Sequence, residues 1–367
     1  MESALARLVD QVQTARAAKG CLRIVGGDTK HFYGNAASGG PLDVKPLAGI
    51  SSYEPSELVV TVRGGTLLED LEAALAEKGQ HLAFEPPRFV ARGTVGGMVA
   101  AGLAGPARAS AGGVRDHVLG ATLLNGRGEV LSFGGQVMKN VAGYDVSRAL
   151  AGSMGVLGVI CEVSLKVLPV APASATLRFE SGQAEALTRL NAWGGEPLPI
   201  AASAWWSGML VVRLSGARAA VEAAQRQLGG EAIDPPLAAA FWRGLRDHGD
   251  EFFAAAAKAE DDGAALWRLS VPATAPPLLL PGEQLIEWGG ALRWWSTHAS
   301  AAQVRDVAAQ AGGHATLFRG RDRRAGAFHP LNAVQARIQT ALADAFDPDR
   351  VFDRGRLFSD RAPDDAA

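Results

Sequence analysis

Apolar residues in the N-terminal part of the chain follow two spacings, and each predicts a different kind of element. Helical spacing relates Leu5, Leu8, Val9 and Val12. Gly20 follows as the expected C-cap of this helix. The short apolar run at residues 21–25 predicts a buried strand, and residues 58–62 predict a second strand.

The same two spacings recur further along. A helix is predicted to begin at Thr66, because Glu69 three residues later completes a capping box. Its apolar face contains Leu68, Leu71 and Leu75, and it ends at Gly79. Alternation of apolar and polar residues over 159–167 predicts a half-exposed strand. This mixture of strands and helices indicates an α+β protein rather than an all-parallel sheet.

The distribution of aromatic residues divides the chain. All three tyrosines precede residue 150, whereas all eight tryptophans lie between Trp193 and Trp295. We therefore expect a first domain over residues 1–170, a cap domain over 171–310, and a C-terminal segment over 311–367 with a disordered acidic tail. An amphipathic helix in that segment is predicted from the positions of Leu331, Val334, Ile338 and Leu342.

Composition excludes several classes of protein. A net charge of −2 gives no basic surface for nucleic acid. Two cysteines, Cys21 and Cys161, are too few for a disulfide framework or a four-thiolate iron–sulfur cluster. The seven histidines lack tight ligand spacing, so no metal site is predicted. With no signal sequence or bilayer-length apolar stretch, we expect a cytoplasmic protein.

Five glycine-rich segments carry the candidate chemistry. They are 25–30 (VGGDTK), 93–97 (GTVGG), 112–116 (GGVRD), 139–145 (KNVAGYD) and 152–160 (GSMGVLGVI). Each alone is typical of an ordinary turn. No G-x-G-x-x-G leads from a strand into a helix, and no G-x-x-x-x-G-K-[ST] occurs. Nicotinamide dinucleotides and nucleoside triphosphates are therefore not indicated.

In order and content, these segments resemble the FAD-binding domain of the vanillyl-alcohol oxidase/p-cresol methylhydroxylase superfamily. Residues 134–145 and 280–294 extend the resemblance to the FAD-binding subunits of bacterial glycolate oxidases. The resemblance implies a p-cresol methylhydroxylase-type, two-lobed FAD-binding domain, a second α+β cap domain, and a C-terminal segment that returns to the FAD domain. The residues that it implies for FAD binding are Gly26, Gly27, Asp28, Thr29, Lys30, Pro87, Thr94, Val95, Gly96, Gly97, Gly102, Gly112, Arg115, Asp116, Lys139, Asn140, Gly143, Tyr144, Gly152, Ser153, Gly155, Gly158, Val159 and Ile160.

The loop at 26–30 suits a pyrophosphate. Its two glycines allow consecutive N–H groups to converge on an anion, and Thr29 and Lys30 add a hydroxyl and a positive charge. Asp28 is expected to cap its own turn. Because Asp28 stands where some relatives tether FAD through a histidine, we expect non-covalent FAD. The alternative to a pyrophosphate-binding loop at 26–30 is a simple hairpin or a loop at the end of a strand.

The other segments each admit two interpretations. The small residues of 93–105 either let a ring system lie against the backbone or pack a helix on a sheet. Arg115 and Asp116 lie near the flavin or form a surface pair. Lys139 balances negative charge on a reduced flavin or a bound carboxylate, or it is solvated. Residues 152–160 shape the FAD pocket or form ordinary turns.

The resemblance implies oxidation of a small 2-hydroxy acid, glycolate to glyoxylate, with hydride transfer to flavin. The histidine-rich metal motif of larger relatives is missing, so the catalytic candidates are Lys139 and His314, although His314 also suits a purely structural role. The resemblance further implies a larger FAD-containing subunit and an iron–sulfur subunit, with inner-membrane contact only through these partners. A free-standing FAD-dependent oxidase and a non-catalytic assembly subunit are the alternatives.

Overall fold

Two sheets organise the chain. The structure is a computed structural model that describes residues 3–135 and 145–358. One antiparallel sheet has five strands and belongs to the first part of the chain, and a second antiparallel sheet has eight strands. The predicted α+β class is confirmed. The predicted acidic tail lies outside the described residues.

The first unit contains nine short strands and most of the small helices. Its strands are β1 (Leu22–Val25), β2 (Gly40–Asp43), β3 (Ile50–Glu54), β4 (Val59–Arg63), β5 (Gln80–His81), β6 (Val118–Leu124), β7 (Val130–Gly134), β8 (Val159–Lys166) and β9 (Leu168–Pro169). Its helices are α1 (Ser3–Ala17), α2 (Leu68–Ala76), α3 (Val95–Ala101), α4 (Arg108–Ala111), α5 (Val114–His117) and α6 (Val146–Ala149).

This unit has two lobes with separate cores. In the smaller lobe, β1 and β2 pair in parallel, and α1 packs against them together with Val351 and Phe352. In the larger lobe, the sheet order is β3-β4-β8-β6-β7, and α2 and α3 cover one face through residues such as Leu71 and Val99. The end of β1 and the start of α3 meet where the two lobes join.

The second unit is a long antiparallel sheet with helices on both faces. Its strands are β10 (Ala173–Glu180), β11 (Ile200–Trp206), β12 (Met209–Gly216), β13 (Glu231–Ile233), β14 (Ala265–Ser270), β15 (Glu283–Glu287), β16 (Leu292–Thr297) and β17 (His314–Arg319). Its helices are α7 (Gln183–Gly194), α8 (Arg218–Leu228), α9 (Pro235–Asp247), α10 (Glu251–Asp261) and α11 (Ala301–Gln310).

The two faces of this sheet have different neighbours. Helices α7, α8 and α11 cover the outer face through apolar side chains. The inner face packs with α9 and α10, and also with Tyr33, Ala101 and Leu103 of the first unit. The inner face of the cap sheet therefore borders the first unit beside α3.

The C-terminal segment is shared between the two units. Strand β17 is the edge strand of the cap sheet, next to β14, so that sheet continues beyond the predicted boundary at residue 310. The last helix, α12 (Ala333–Phe346), and the residues after it return to the first unit, where Phe352 bridges to Leu22 of β1.

Local details differ from the sequence predictions at both early helices. The left-handed residue after α1 is Lys19, with φ of 50°, rather than Gly20. Helix α2 has Leu67 at its N-cap, without a side-chain cap, so the capping box predicted at Thr66 is wrong. The Thr66 hydroxyl instead accepts a hydrogen bond from the N–H of Gly49 at 2.9 Å. A tertiary contact has taken the place of the local one.

Two strands also differ in their exposure. Strand β8 is almost fully buried rather than half-exposed, because it is the central strand of its sheet. Its Ser164 hydroxyl lies 2.8 Å from that of Thr61, which satisfies both groups. Strand β1, predicted as buried, is half-buried, because its residues line an open cleft.

Candidate functional site

A half-open cleft lies where the two lobes of the first unit meet. It contains about 790 Å³ of empty space. Its walls are the strand β1, the loop that follows it, one side of α3, a turn at 154–155 and the returning C-terminal segment. Eight of the residues predicted to bind FAD line it, namely Gly26, Gly27, Asp28, Thr29, Lys30, Thr94, Gly97 and Gly155.

The loop after β1 presents free hydrogen-bond donors. The backbone N–H groups of residues 27–30 donate to no acceptor among the residues that the structure describes. A Cβ at Gly27 would come within 1.5 Å of the Arg92 carbonyl oxygen, so only glycine fits there. Polar backbone groups rarely remain without a partner, and a row of such donors is suited to an anion.

Two arginines hold the segment at 30–35, which directly follows the free N–H groups, through its carbonyl groups. The Arg356 guanidinium donates to the carbonyl oxygens of His31, at 3.0 Å, and Asn35, at 2.8 Å, and also to Lys30 and Tyr33. Arg323 donates to the carbonyls of Phe32 and Gly34. Side chains remote in sequence therefore fix the chain at the end of the loop that carries the free N–H groups.

Charges of both signs line the cleft: Arg23, Lys30 and Arg356, and the carboxylates of Asp28 and Asp353. Burial lowers the pKa of Lys30 to about 8, and a bound anion beside its ammonium would raise that pKa again. Asp28 pairs with Arg23 at 3.5 Å and has a left-handed backbone, with φ of 54°. Its side chain therefore does not cap its own turn, which corrects that expectation.

The opposite wall is made of small residues. Gly97, Ala100 and Ala101 of α3 line the cleft, and Met154 and Gly155 face it. The Thr94 hydroxyl accepts the N–H of Gly97 at 3.3 Å and caps α3. Free N–H donors, positive charge and a wall with little side-chain bulk are what the pyrophosphate and the planar ring of FAD require.

Most remaining predicted residues do not line the cleft. Gly96 packs on Gly64, where a Cβ would approach the carbonyl oxygen to 2.9 Å. The Asp116 carboxylate accepts the Gly113 N–H at 2.8 Å, whereas Arg115 is exposed. The other predicted residues away from the cleft are Pro87, Val95, Gly102, Gly112, Gly152, Ser153, Gly158, Val159 and Ile160. Lys139, Asn140, Gly143 and Tyr144 lie outside the described residues.

The inner face of the cap sheet carries a buried polar cluster that the sequence analysis missed. The Glu287 carboxylate accepts a hydrogen bond from the Trp294 indole at 2.7 Å, and its other oxygen has no partner among the described residues. Burial raises the pKa of Glu287 to about 8 despite that hydrogen bond. His248 stacks on Phe253 at 3.8 Å, and its Nδ1 has no hydrogen-bond partner in the described part of the chain. Burial lowers the pKa of His248 well below its usual value.

Arg268 lies on the same face of the cap sheet, directly opposite Trp294. Its guanidinium makes no hydrogen bond or ion pair with the described residues. Burial lowers the pKa of Arg268, and the nearby Glu287 carboxyl opposes that shift. It lies 5.1 Å from the centre of the Trp288 ring, and Arg108 lies 4.6 Å from that centre. Two guanidinium groups without carboxylate partners are therefore available to an anionic ligand beside Tyr33.

His314 occupies the exposed start of β17, on the same face as Arg268. Its ring lies 6.3 Å from that of His329. Burial lowers the pKa of His314, and the positive charge of Arg268 lowers it further. A neutral imidazole is the form that can accept a proton.

The segment at 280–294 explains how the cap contacts the first unit. Trp288 has φ of 54°, and the two following glycines are also left-handed. This turn directs the Trp288 indole to the carbonyl oxygen of Gly105, at 3.0 Å. The segment therefore links the inner face of the cap to the residues that follow α3.

The described residues contain neither a metal-ligand cluster nor a membrane-spanning helix. No group of three or more His, Cys, Asp or Glu side chains there is placed to hold a metal ion. No helix within 3–135 or 145–358 is both long and apolar enough to cross a membrane.

Comparison with known proteins identifies the family. A family model described as "FAD binding domain" matches residues 4–134. Glycolate oxidase subunit GlcE of Escherichia coli is 45% identical over 353 residues, 96% of this chain and 97% of that protein. Glycolate oxidase subunit GlcD of Bacillus subtilis is 31% identical over 134 residues, 36% of this chain and 28% of that protein.

Among solved structures, alkyldihydroxyacetonephosphate synthase matches 96% of this chain and 76% of its own, with a TM-score of 0.63 and 14% identity. This likeness supports the fold, a p-cresol methylhydroxylase-type FAD-binding domain with a cap. The identity to GlcE extends through both units and the returning segment. The chain therefore belongs to the GlcE family of FAD-binding oxidoreductase subunits.

Proposed function

We propose that this chain is the FAD-binding subunit of a glycolate oxidase complex that oxidises glycolate to glyoxylate. The observation that carries the proposal is the loop at 26–30, whose free N–H groups lie beside Lys30 in the cleft of a chain with 45% identity to GlcE. FAD, when bound, supplies the acceptor for the hydride that leaves the α-carbon of the substrate.

The chain's own residues bind and orient the cofactor. The N–H groups of residues 27–30 and the Lys30 ammonium would hold the pyrophosphate. The α3 wall, from Gly97 to Ala101, would lie against the flat part of the cofactor. Asp28 stands in the place of the tethering histidine and is paired with Arg23, which supports non-covalent binding.

The inner face of the cap is suited to a 2-hydroxy acid. Arg268 offers a guanidinium without a carboxylate partner, the group that best matches a substrate carboxylate. His314 on the same face would accept the hydroxyl proton as the hydride leaves. Burial raises the pKa of Glu287 to about 8, so its carboxyl would hold a proton at neutral pH and would donate a hydrogen bond to a ligand from the oxygen that Trp294 does not contact.

Electrons from the reaction need a way out of the chain. Two cysteines cannot supply the four thiolates of an iron–sulfur cluster, so any such cluster on the electron path would be held by a partner. We propose a larger FAD-containing subunit and an iron–sulfur subunit as partners, with the chain in the cytoplasm and any membrane contact made through them. The relatives named as glycolate oxidase subunits support a multi-subunit assembly.

The test is flavin analysis of the purified complex. We expect FAD that acid releases from this chain, and glycolate oxidation that depends on the complex. In the complex, Arg268→Ala should raise KM for glycolate more than it lowers kcat, because Ala removes a binding group. Complex without flavin in this chain, or unchanged KM in the variant, would contradict the assignment.

A free-standing oxidase is the second candidate, and the polar cluster on the cap favours it. If Arg268 and His314 form a complete substrate site, glycolate should bleach the flavin of the isolated chain in anaerobic solution. That bleaching, lost in His314→Ala, would show a self-sufficient active site. Its absence in the isolated chain, with activity restored in the complex, would show that glycolate oxidation requires a partner subunit.

A further inference from the structure

The N-terminal part of α12 is uncovered. Every residue from 331 to 341 except Ala336 is exposed. Leu331 is 46% exposed, Val334 58% and Ile338 60%. Within residues 3–135 and 145–358, the helix packs on the rest of the protein at its C-terminal end, where Ala343 is fully buried and Leu342 and Phe346 contact the larger core.

Two exposed apolar residues of α12 lie on one side of the helix. Val334 and Ile338 are four residues apart, and the same row continues into Leu342. Leu331 lies just before the N-cap residue Asn332 and adds a third exposed apolar side chain at this end of the helix. We call Leu331, Val334 and Ile338 the α12 stripe. The positions of these residues predicted an amphipathic helix, and the structure leaves the N-terminal part of its apolar side in solvent.

The composition of α12 is unusual for a helix in water. Between residues 333 and 343 the only charged side chain is Arg337. A solvated helix normally carries charge on its exposed sides, whereas the cores of protein interfaces are depleted of charge. The helix still has a complete N-terminal capping box between Asn332 and Gln335. It is therefore a formed helix with an apolar side that nothing among the described residues covers.

We infer that the α12 stripe is the docking surface for a different protein subunit, one that offers an apolar groove with a carboxylate at its edge for Arg337. The inference rests on the proposed function for the existence of that subunit. An amphipathic helix with apolar anchors at this spacing is suited to a groove on a partner. The similarity to a protein named as a subunit spans almost the entire chain, α12 included.

The charge of the helix argues against a second copy of this chain as the occupant. If two copies of α12 packed stripe to stripe about a two-fold axis, each Arg337 would approach the other copy. No carboxylate lies between residues 333 and 343 to neutralise that pair. A different partner with an acidic group meets Arg337 without this repulsion.

The test uses the full chain co-expressed with the larger FAD-containing subunit and the iron–sulfur subunit. Val334→Glu combined with Ile338→Glu introduces charge while keeping a residue that favours helix. We expect at least about a hundredfold weaker association, as for loss of central apolar anchors. Arg337→Glu should also weaken association, whereas Arg337→Lys should preserve most of it.

The matched control is Leu237→Glu, because Leu237 is 65% exposed but lies on α9 of the cap. Its association should equal that of the unmodified chain. In isolation, all these variants should retain FAD and an unchanged melting temperature, because the side chains of the α12 stripe are exposed and not covered by other described residues.

Four results distinguish failure of the proposed function from failure of the α12 docking surface. If the unmodified chain does not assemble, the proposed function is wrong. If it assembles and the double glutamate variant does so equally well, the docking surface is wrong. A large fall in the melting temperature of the isolated variant would overturn the inference, because the stripe would then be covered within the chain. Dimerisation of the isolated chain that the variant abolishes would overturn it in favour of a second copy.

Discussion

Substitution of Gly97 by valine tests whether the cofactor lies against α3. A Cβ at Gly97 would meet only the Thr94 hydroxyl, at 3.1 Å, so the helix can carry a side chain with a small adjustment. Because Gly97 lines the cleft, the two methyl groups of valine would occupy space that the cofactor needs. The substitution therefore acts on the ligand more than on the fold.

The size of the effect follows from the cost of overpacking. Extra methyl groups in a well-packed contact cost about 1–3 kcal/mol. If this cost falls entirely on the bound state, FAD affinity decreases about 5- to 150-fold. The free protein should change little, since its cleft is open to solvent at this position.

The assay is titration of FAD into flavin-stripped protein, with tryptophan fluorescence as an independent report on the cap. All eight tryptophans lie between Trp193 and Trp295, so their emission reports on the cap and its border. Gly194→Val is the matched control, because Gly194 is exposed on α7 and a Cβ there would meet nothing within 4 Å. Unchanged FAD affinity in Gly97→Val, with normal folding, would refute our placement of the cofactor.

Three further predictions address other groups. FAD affinity should fall as the pH rises above about 8, because Lys30 loses its proton when free and retains it beside pyrophosphate; titration of Lys30→Met should show no such fall. As the pH rises from about 5 to about 8, the free energy of unfolding of the unmodified chain should fall, because the folded state holds a proton on Glu287 that the unfolded carboxyl releases. Urea unfolding of Glu287→Gln should show a smaller fall over the same pH range. Trp288→Phe should lower the free energy of unfolding by about 1 kcal/mol in the same assay, since it leaves the Gly105 carbonyl without its indole donor.

Features set by neighbouring residues were predicted well from the sequence. The helix α1, the strand β4 and the glycine loop after β1 are encoded by spacing within a few positions, and each is present. The capping box predicted at Thr66 failed because a distant backbone group, the N–H of Gly49, competes for its hydroxyl. The spacing of residues within one helix does not predict hydrogen bonds to distant backbone groups.

The rest of the candidate site depends on long-range contacts. Arg356 holds a loop more than 300 residues earlier in the chain, and no local pattern marks it. Glu287, His248 and Arg268 come together only when β14, β15 and β16 pair in register and α9 ends beside them. The apolar row of α12 was recognised, but periodicity tells only that one side is apolar and not whether the same chain covers it.

The return of the C-terminal segment to β1 determines when the cleft exists during synthesis. Its walls come from residues 22–31, 94–101, 154–155 and 352–356, so the last wall is translated long after the first. While residue 356 is still inside the ribosome, the loop at 30–35 lacks the guanidinium that holds its carbonyls. We therefore expect a nascent chain to bind FAD only weakly while its cap is still being translated. Bound flavin would then distinguish chains in which the segment at 352–356 has reached β1.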